Sequence, residues 1–443
     1  SKYLFSVTLR RDGSSKFGPD NKYGTFPAFS AGWRISEEHF MGSLNWLSDL
    51  KARISWGKNG NSNIPAGRTI SQYDANYQAT SYPIMGNENG ELWSGYRRLN
   101  IGNPNLKWES TEQTNVGVDF GVLNHKLTGS LDYFYKKTSD MLVTPPYIGA
   151  MGEGAYRIEN GATMTNKGFE FLLNYSDVTA GGFSYDISLN ASTYKNKLTK
   201  LPINVINDYP GNGMTDLILD KSVNSIYGLV ADGIFQNQDE VDIHAEQPGK
   251  GVGRIRYKDL DGDGKIDEAH DRTWIGISDP DFIAGLNFNS QYRNFDLSLF
   301  FQGVFGNEVY NRWKEYSDFW NFHVQKGKNH PTRILKAWTP DNPTSKIPAL
   351  TLANRNGENR MSTYFIENGS YLKLRTIELG YTFPRHISQK MSMSRLRLYV
   401  SARNVFTLKK SWGSDKFTGK DPENTGFGYQ IPLSMSFGVN VTF

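Results

Sequence analysis

Hydrophobic and polar positions alternate along most of the chain, most regularly at its end. There Leu433, Met435, Phe437, Val439, Val441 and Phe443 interleave with Ser434, Ser436, Gly438, Asn440 and Thr442. Successive side chains of a strand point to opposite faces, so this segment reads as a strand with one apolar face. Leu396, Leu398, Val400 and Ala402 repeat the pattern between Arg395, Arg397, Tyr399, Ser401 and Arg403, and Phe295 to Gln302 repeats it again. Further strands are predicted around Phe5, Ile54, Val118, Leu131, Phe171, Ile187 and Leu286. Between Tyr371 and Phe383 the alternation changes phase near Arg375, which predicts a bulge. The segments run about 9 to 11 residues, the length of a tilted membrane strand.

Alternation also suits a soluble β-sandwich, so connection lengths carry the discrimination. With Thr215 to Val223 and Ile226 to Phe235 both read as strands, roughly 14 strands result, joined by connections that alternate between long and short as in an outer-membrane barrel. The long connections fall at 12 to 24, 59 to 105, 140 to 162, 197 to 213, 236 to 280, 304 to 369 and 407 to 432, all on one side. The expectation is an all-β, transmembrane, antiparallel barrel occupying residues 1–443, with the connections at about 59–105, 236–280, 304–369 and 407–432 as its principal extracellular loops.

Composition narrows the alternatives. No stretch approaches the roughly 18 apolar residues of a spanning helix, so any membrane crossing falls to strands. A net charge of +4 with interspersed signs gives no basic stripe for nucleic acid. With no cysteine there is no disulfide framework and no thiolate metal site or nucleophile. The seven histidines lack HExxH spacing, and neither a GxSxG elbow nor a phosphate-binding glycine loop occurs, so the chain reads as a non-enzyme.

Three features carry candidate chemistry. Asp259, Asp261, Asp263, Gly264, Lys265 and Asp267 match positions 1, 3, 5, 6, 7 and 9 of a calcium loop, with the Lys265 main-chain carbonyl at position 7. His270 stands at position 12 in place of the bidentate Glu, leaving Glu268 or Asp271 to complete a Ca²⁺ shell. The connection after Phe305 is crowded with aromatic residues. Trp313, Tyr316, Trp320, Phe322 and Trp338 suit either stacking on a ligand or packing and docking of the loop. At the carboxy terminus Gly438, Val441 and Phe443 look like a barrel-assembly signal. Arg395, Arg397 and Arg403 lie on the polar face and are expected to meet carboxylates of the barrel wall or of a plug.

Several longer motifs together resemble one family, the SusC/RagA-type TonB-dependent transporters. They are LRRDGSSKFG at 9 to 18, FPAFSAGWRISEE at 26 to 38, NPNLKWESTEQTNVGVD at 103 to 119, IYGLVADGIFQ at 226 to 236, IRYKDLDGDGKID at 255 to 267 and the terminal FGVNVTF. The resemblance implies a 22-stranded plugged barrel of which this chain is the carboxy-terminal part, the plug and the TonB-contacting segment lying outside it. It also implies placement in a Gram-negative outer membrane among its lipids, a SusD-type surface lipoprotein as partner, and import of an oligosaccharide or peptide driven by the TonB complex. A siderophore or vitamin transporter of the same fold and a soluble secreted glycan-binding β-protein are the rival readings.

Overall fold

The computed structural model describes residues 1–76, 80–82, 93–145, 157–206, 217–320, 330–352, 356–409, 417–426 and 428–443. Its main feature is one 12-stranded antiparallel sheet in which each strand lies beside its predecessor. The strands are β1 (Tyr3–Gly13), β2 (Tyr23–Arg34), β3 (Leu47–Asn61), β4 (Glu109–Val122), β5 (Leu127–Val143) and β6 (Glu159–Val178). They continue with β7 (Phe183–Lys200), β8 (Phe282–Tyr292), β9 (Phe295–Phe305), β10 (Tyr371–Thr382), β11 (Arg395–Leu408) and β12 (Ser434–Thr442). Among the described residues the sheet has two edges, because β1 pairs there only with β2 and β12 only with β11.

Register aligns the apolar alternation across strands. Phe5, Ala31, Ile54, Val116, Tyr133 and Phe169 stand opposite one another in a continuous row on one face. That face is bare: Phe5 is 80% exposed, Val7 85% and Phe437 83%. Side chains of this size gathered over a contiguous surface belong in hydrocarbon. The opposite face is polar and cross-linked. Arg53 bonds Asp119 at 3.1 Å and Asp132 at 2.6 Å, spanning three strands, while Lys51 reaches Asp119 at 2.9 Å. Arg397 pairs with Asp296 and with Glu378 at 2.8 Å, which bears out the expected wall contact; Arg395 and Arg403 make no ion pair among the described residues.

The predicted bulge at Arg375 is present: the register between β10 and β11 slips between Leu374 and Thr376. Among the described residues the large sheet has 12 strands where roughly 14 were expected. Residues 217–223 form turns, while 215 and 216 lie outside the described residues. Ser225–Leu229 pairs with Arg272–Ile277, and Ala231–Ile234 with Ile255–Tyr257, in two small sheets separate from the large one. Their alternation has another cause, since Leu229 and Phe235 are fully buried in a folded loop and do not face outward. The connections expected at 197–213 and 236–280 therefore merge into one, 201–281. From β3 onward the long connections 62–108, 144–158, 201–281, 306–370 and 409–433 alternate with short ones, whereas the connection expected to be long at 12–24 is only 14–22, shorter than 35–46 at the other end of β2.

Candidate functional site

Conventional cores lie at the ends of the strands and not along them. The largest joins Leu229, Ile255, Tyr257 and Ile266 from connection 201–281 to Phe319 and Phe365 from connection 306–370. Polar contacts fasten the same two segments. Glu358, fully buried, accepts from Arg254 Nη1 at 2.8 Å and from the Ile255 amide at 3.2 Å. Gln247 Nε2 donates to Asn356 Oδ1 at 2.7 Å, and Asn356 Nδ2 donates to the Ile255 carbonyl at 2.7 Å. Burial pushes the Glu358 carboxyl above its ordinary range even though Arg254 opposes the shift. The two connections thus share one interior.

Connection 409–433 joins them. Thr418 Oγ1 donates to Glu367 at 2.6 Å and accepts from Asn311 at 3.0 Å. Asp421 and Glu423 converge on Lys373, buried near the start of β10, with Asp421 Oδ1 at 2.8 Å. None of these long-range partners was foreseen from sequence. The result is a loop body built from three connections at one end of the sheet and anchored to its polar face.

The aspartate-rich turn projects from this body. Gly262 at φ +77° and Gly264 at φ +83° occupy the left-handed region that glycine adopts without strain, which lets the chain fold back sharply. Asp259 accepts from the amides of Gly262 at 2.7 Å and Gly264 at 2.9 Å. Carboxylate oxygens of Asp259, Asp261 and Asp263 lie within 4.8 Å of one another and can converge on a hard cation. The other expected ligands have different partners. Asp267 takes the amides of Ala269 and His270 and the His270 ring, a contact that holds its carboxyl below the usual range and raises the imidazole. Asp271, 1% exposed, takes the amides of Leu260 at 2.8 Å and Asp267 at 2.7 Å and closes the base of the turn. The Lys265 amide goes to Asp263 at 2.7 Å.

The aromatic residues separate into two groups. Trp320 stacks on His330 at 4.7 Å, His330 on Tyr316 at 5.3 Å, and Tyr316 meets Trp313 at 5.0 Å, with the Lys420 ammonium 4.4 Å over the Trp313 ring. Trp338 stands apart and is buried, its indole donating to Gln236 Oε1 at 2.9 Å. Phe322 lies outside the described residues.

At the end of the chain, Gly438 faces Tyr399 across the β11–β12 pair, and a Cβ built on Gly438 would sit 2.2 Å from the tyrosine ring. Glycine thus leaves room for an aromatic ring to lie across the last strand. Val441 pairs with Leu396 on the apolar face, where Phe443 is 87% exposed.

A family model described as TonB dependent receptor-like, beta-barrel, matches residues 1–405. The chain belongs to this family. It is 32% identical over 462 aligned positions to TonB-dependent receptor P3 of Formosa agariphila, covering all of this chain and 44% of that one. It is 31% identical to TonB-dependent receptor SusC of Bacteroides thetaiotaomicron over 427 positions, covering 96% of this chain and 40% of SusC. In fold it superposes on the structure of the RagAB peptide transporter with a TM-score of 0.78 at 22% identity, covering 100% of this chain and 46% of that one. The chain spans less than half the length of these relatives. As part of a TonB-dependent receptor barrel, the bare apolar face is the lipid-facing one and the ion-paired face lines the lumen. The soluble β-protein reading falls with that assignment.

Proposed function

We propose that this chain supplies the carboxy-terminal wall and the external loop body of an outer-membrane importer that takes up an oligosaccharide together with a SusD-type surface lipoprotein. The observation that carries the reading is the match to SusC over 96% of the chain, joined to a loop body gathered on one side of the sheet. A lumen wall rich in amides and hydroxyls, among them Asn166, Asn196, Ser188, Asn190 and Asn287, supports a polyhydroxylated cargo. In this reading the strands that close the sheet between β12 and β1, the plug and the TonB-contacting segment belong to the rest of the receptor, and TonB drives release inward. A Ca²⁺ ion held by Asp259, Asp261 and Asp263 is an accessory part of it, tested by whether Ca²⁺ and not Mg²⁺ slows amide exchange at 259–265.

The full-length receptor, produced in a Gram-negative host with its neighbouring surface lipoprotein, tests the reading directly. It is expected to need detergent for extraction, to co-purify with the lipoprotein, and to lose oligosaccharide uptake when the proton-motive force is collapsed. Extraction without detergent, or uptake indifferent to that collapse, refutes it.

A further inference from the structure

A cavity of about 910 Å³ opens in the loop body between residues 308–318, 333–347, 364–368 and Thr418. Its size lies within the range of small-molecule sites. Four cationic side chains line it, Lys314, Arg333, Lys336 and Lys346, against two carboxylates, Glu308 and Glu367. The carboxylates already have donors from the protein. Glu367 takes Lys314 at 2.9 Å, Asn311 at 2.8 Å and both the amide and hydroxyl of Thr418, while Glu308 takes the Ile277 amide at 2.9 Å. Arg333 is held in place by fully buried Asp318 through Nε at 2.6 Å and Nη2 at 3.0 Å. A guanidinium has five N–H donors, so this grip fixes the group and leaves three for other partners. Lys336 has no carboxylate in ion-pair range among the described residues, and both it and Lys346 are exposed at the rim. Thr344, Ser345 and Asn368 stand beside Ile347 and Ile366 on the wall, a mixture that suits a sugar ring with polar edges and C–H faces.

From this arrangement we infer that the cavity binds the carboxylate of an acidic saccharide, with Arg333 as the fixed donor and Lys336 and Lys346 as charges that close over the anion. The inference rests on the import reading and specifies the charge of the cargo and where it is held. Charge-assisted contacts between fixed cations and a carboxylate are stronger than neutral hydrogen bonds, and they weaken with salt where they are exposed.

The test uses the full-length receptor with its lipoprotein, titrated calorimetrically with trigalacturonate, maltotriose and triglutamate at low and high salt. Trigalacturonate is expected to bind more tightly than maltotriose, to lose about tenfold or more in the Lys336→Glu/Lys346→Glu receptor, and to stay within about threefold in Lys336→Arg/Lys346→Arg. These residues lie at an exposed rim, so the variants should fold as the parent does. Absence of trigalacturonate binding to the parent, equal binding of maltotriose, or indifference to charge reversal overturns the inference. Triglutamate binding as tightly as trigalacturonate, with the same loss on charge reversal, overturns the saccharide assignment. Energised uptake measured on the same cells separates the two readings, because a receptor that still imports a neutral saccharide keeps its transport role even where the titration fails.

Discussion

Replacing Arg254 with Ala tests whether connections 201–281 and 306–370 form one cooperative body. Glu358 is fully buried, and the Arg254 side chain, itself 12% exposed, is its ion partner at 2.8 Å. Removing one member of a buried pair strands the other charge, a loss of about 3–5 kcal/mol. At about 1.4 kcal/mol per factor of ten, amide protection should fall by roughly 10² to 10³·⁵ in residues 229–257 and 356–367. Hydrogen exchange read by mass spectrometry on the full-length receptor should show that loss there and leave β8 and β9 unchanged. The pH dependence has a definite sign. Burial raises the folded carboxyl of Glu358 above its unfolded value, so its contribution is fully present below the unfolded value and declines as pH rises through the folded one. Without Arg254 the folded value rises further, so the deficit of the variant should shrink as the medium is acidified and Glu358 takes up its proton. The double change Arg254→Met/Glu358→Leu should recover much of the protection. A fall of less than about fivefold, or one shared equally by β8 and β9, would refute a common interior held by this pair.

Three further outcomes follow from the same structure. Lys373→Met removes the buried cation under Asp421 and Glu423 and should free residues 417–426, a change of about 3 kcal/mol read by local exchange or proteolysis. Burial alone pushes Glu423 up, but Lys373, Tyr371 and Arg375 more than offset it and hold the carboxyl below its usual range. Anchoring in the parent should therefore be complete above that range and be lost as pH falls through the lowered value, a transition that Lys373→Met should flatten. Gly438→Ala pushes a methyl into the Tyr399 ring and should destabilise the β11–β12 pair by about 1 kcal/mol, as the ring can turn aside, while Gly438→Leu costs more; heat-dependent gel mobility of the full-length barrel reads both, and equal stability of the Leu variant contradicts the packing. Deleting Phe443 should lower the fraction of receptor inserted in the outer membrane, and normal insertion would remove the terminal strand's role in assembly.

Position-by-position alternation made the sheet legible because each strand residue answers to one of two environments, hydrocarbon or lumen. The rows through Val116 and Tyr133 and the bulge at Arg375 follow from that local rule. The same rule misled at 215–235, since a period of two reports only that one face is covered and not what covers it. Leu229 is covered by Tyr257 and Phe365, whereas Val7 is left bare for lipid.

The loop body obeys a different logic. Arg254 meets Glu358 across 104 positions and Lys373 meets Asp421 across 48, so neither pair leaves a periodic trace. Asp271 shows the consequence for the calcium-loop motif. Its spacing from Asp259 marks it as a ligand in a linear reading, yet it is buried because the turn must close its own base, and Asp267 is likewise engaged by the amides that follow it. The carboxylates of the motif therefore differ in role: Asp267 and Asp271 spend their oxygens on closing the turn, whereas Asp259, Asp261 and Asp263 accept amides of the turn and also gather on one side of it. Among the described residues, Asp259, Asp261 and Asp263 hold carboxylate oxygens close enough together to share one cation. Removing the shaping group should thus disturb the turn itself: Asp271→Asn keeps an oxygen for one amide but discards the charge that accepts two, and should loosen 259–267 with or without added Ca²⁺. Asp261→Asn leaves the buried base intact and should alter the turn only in its response to the ion, so amide exchange in the two variants separates scaffold from ligand.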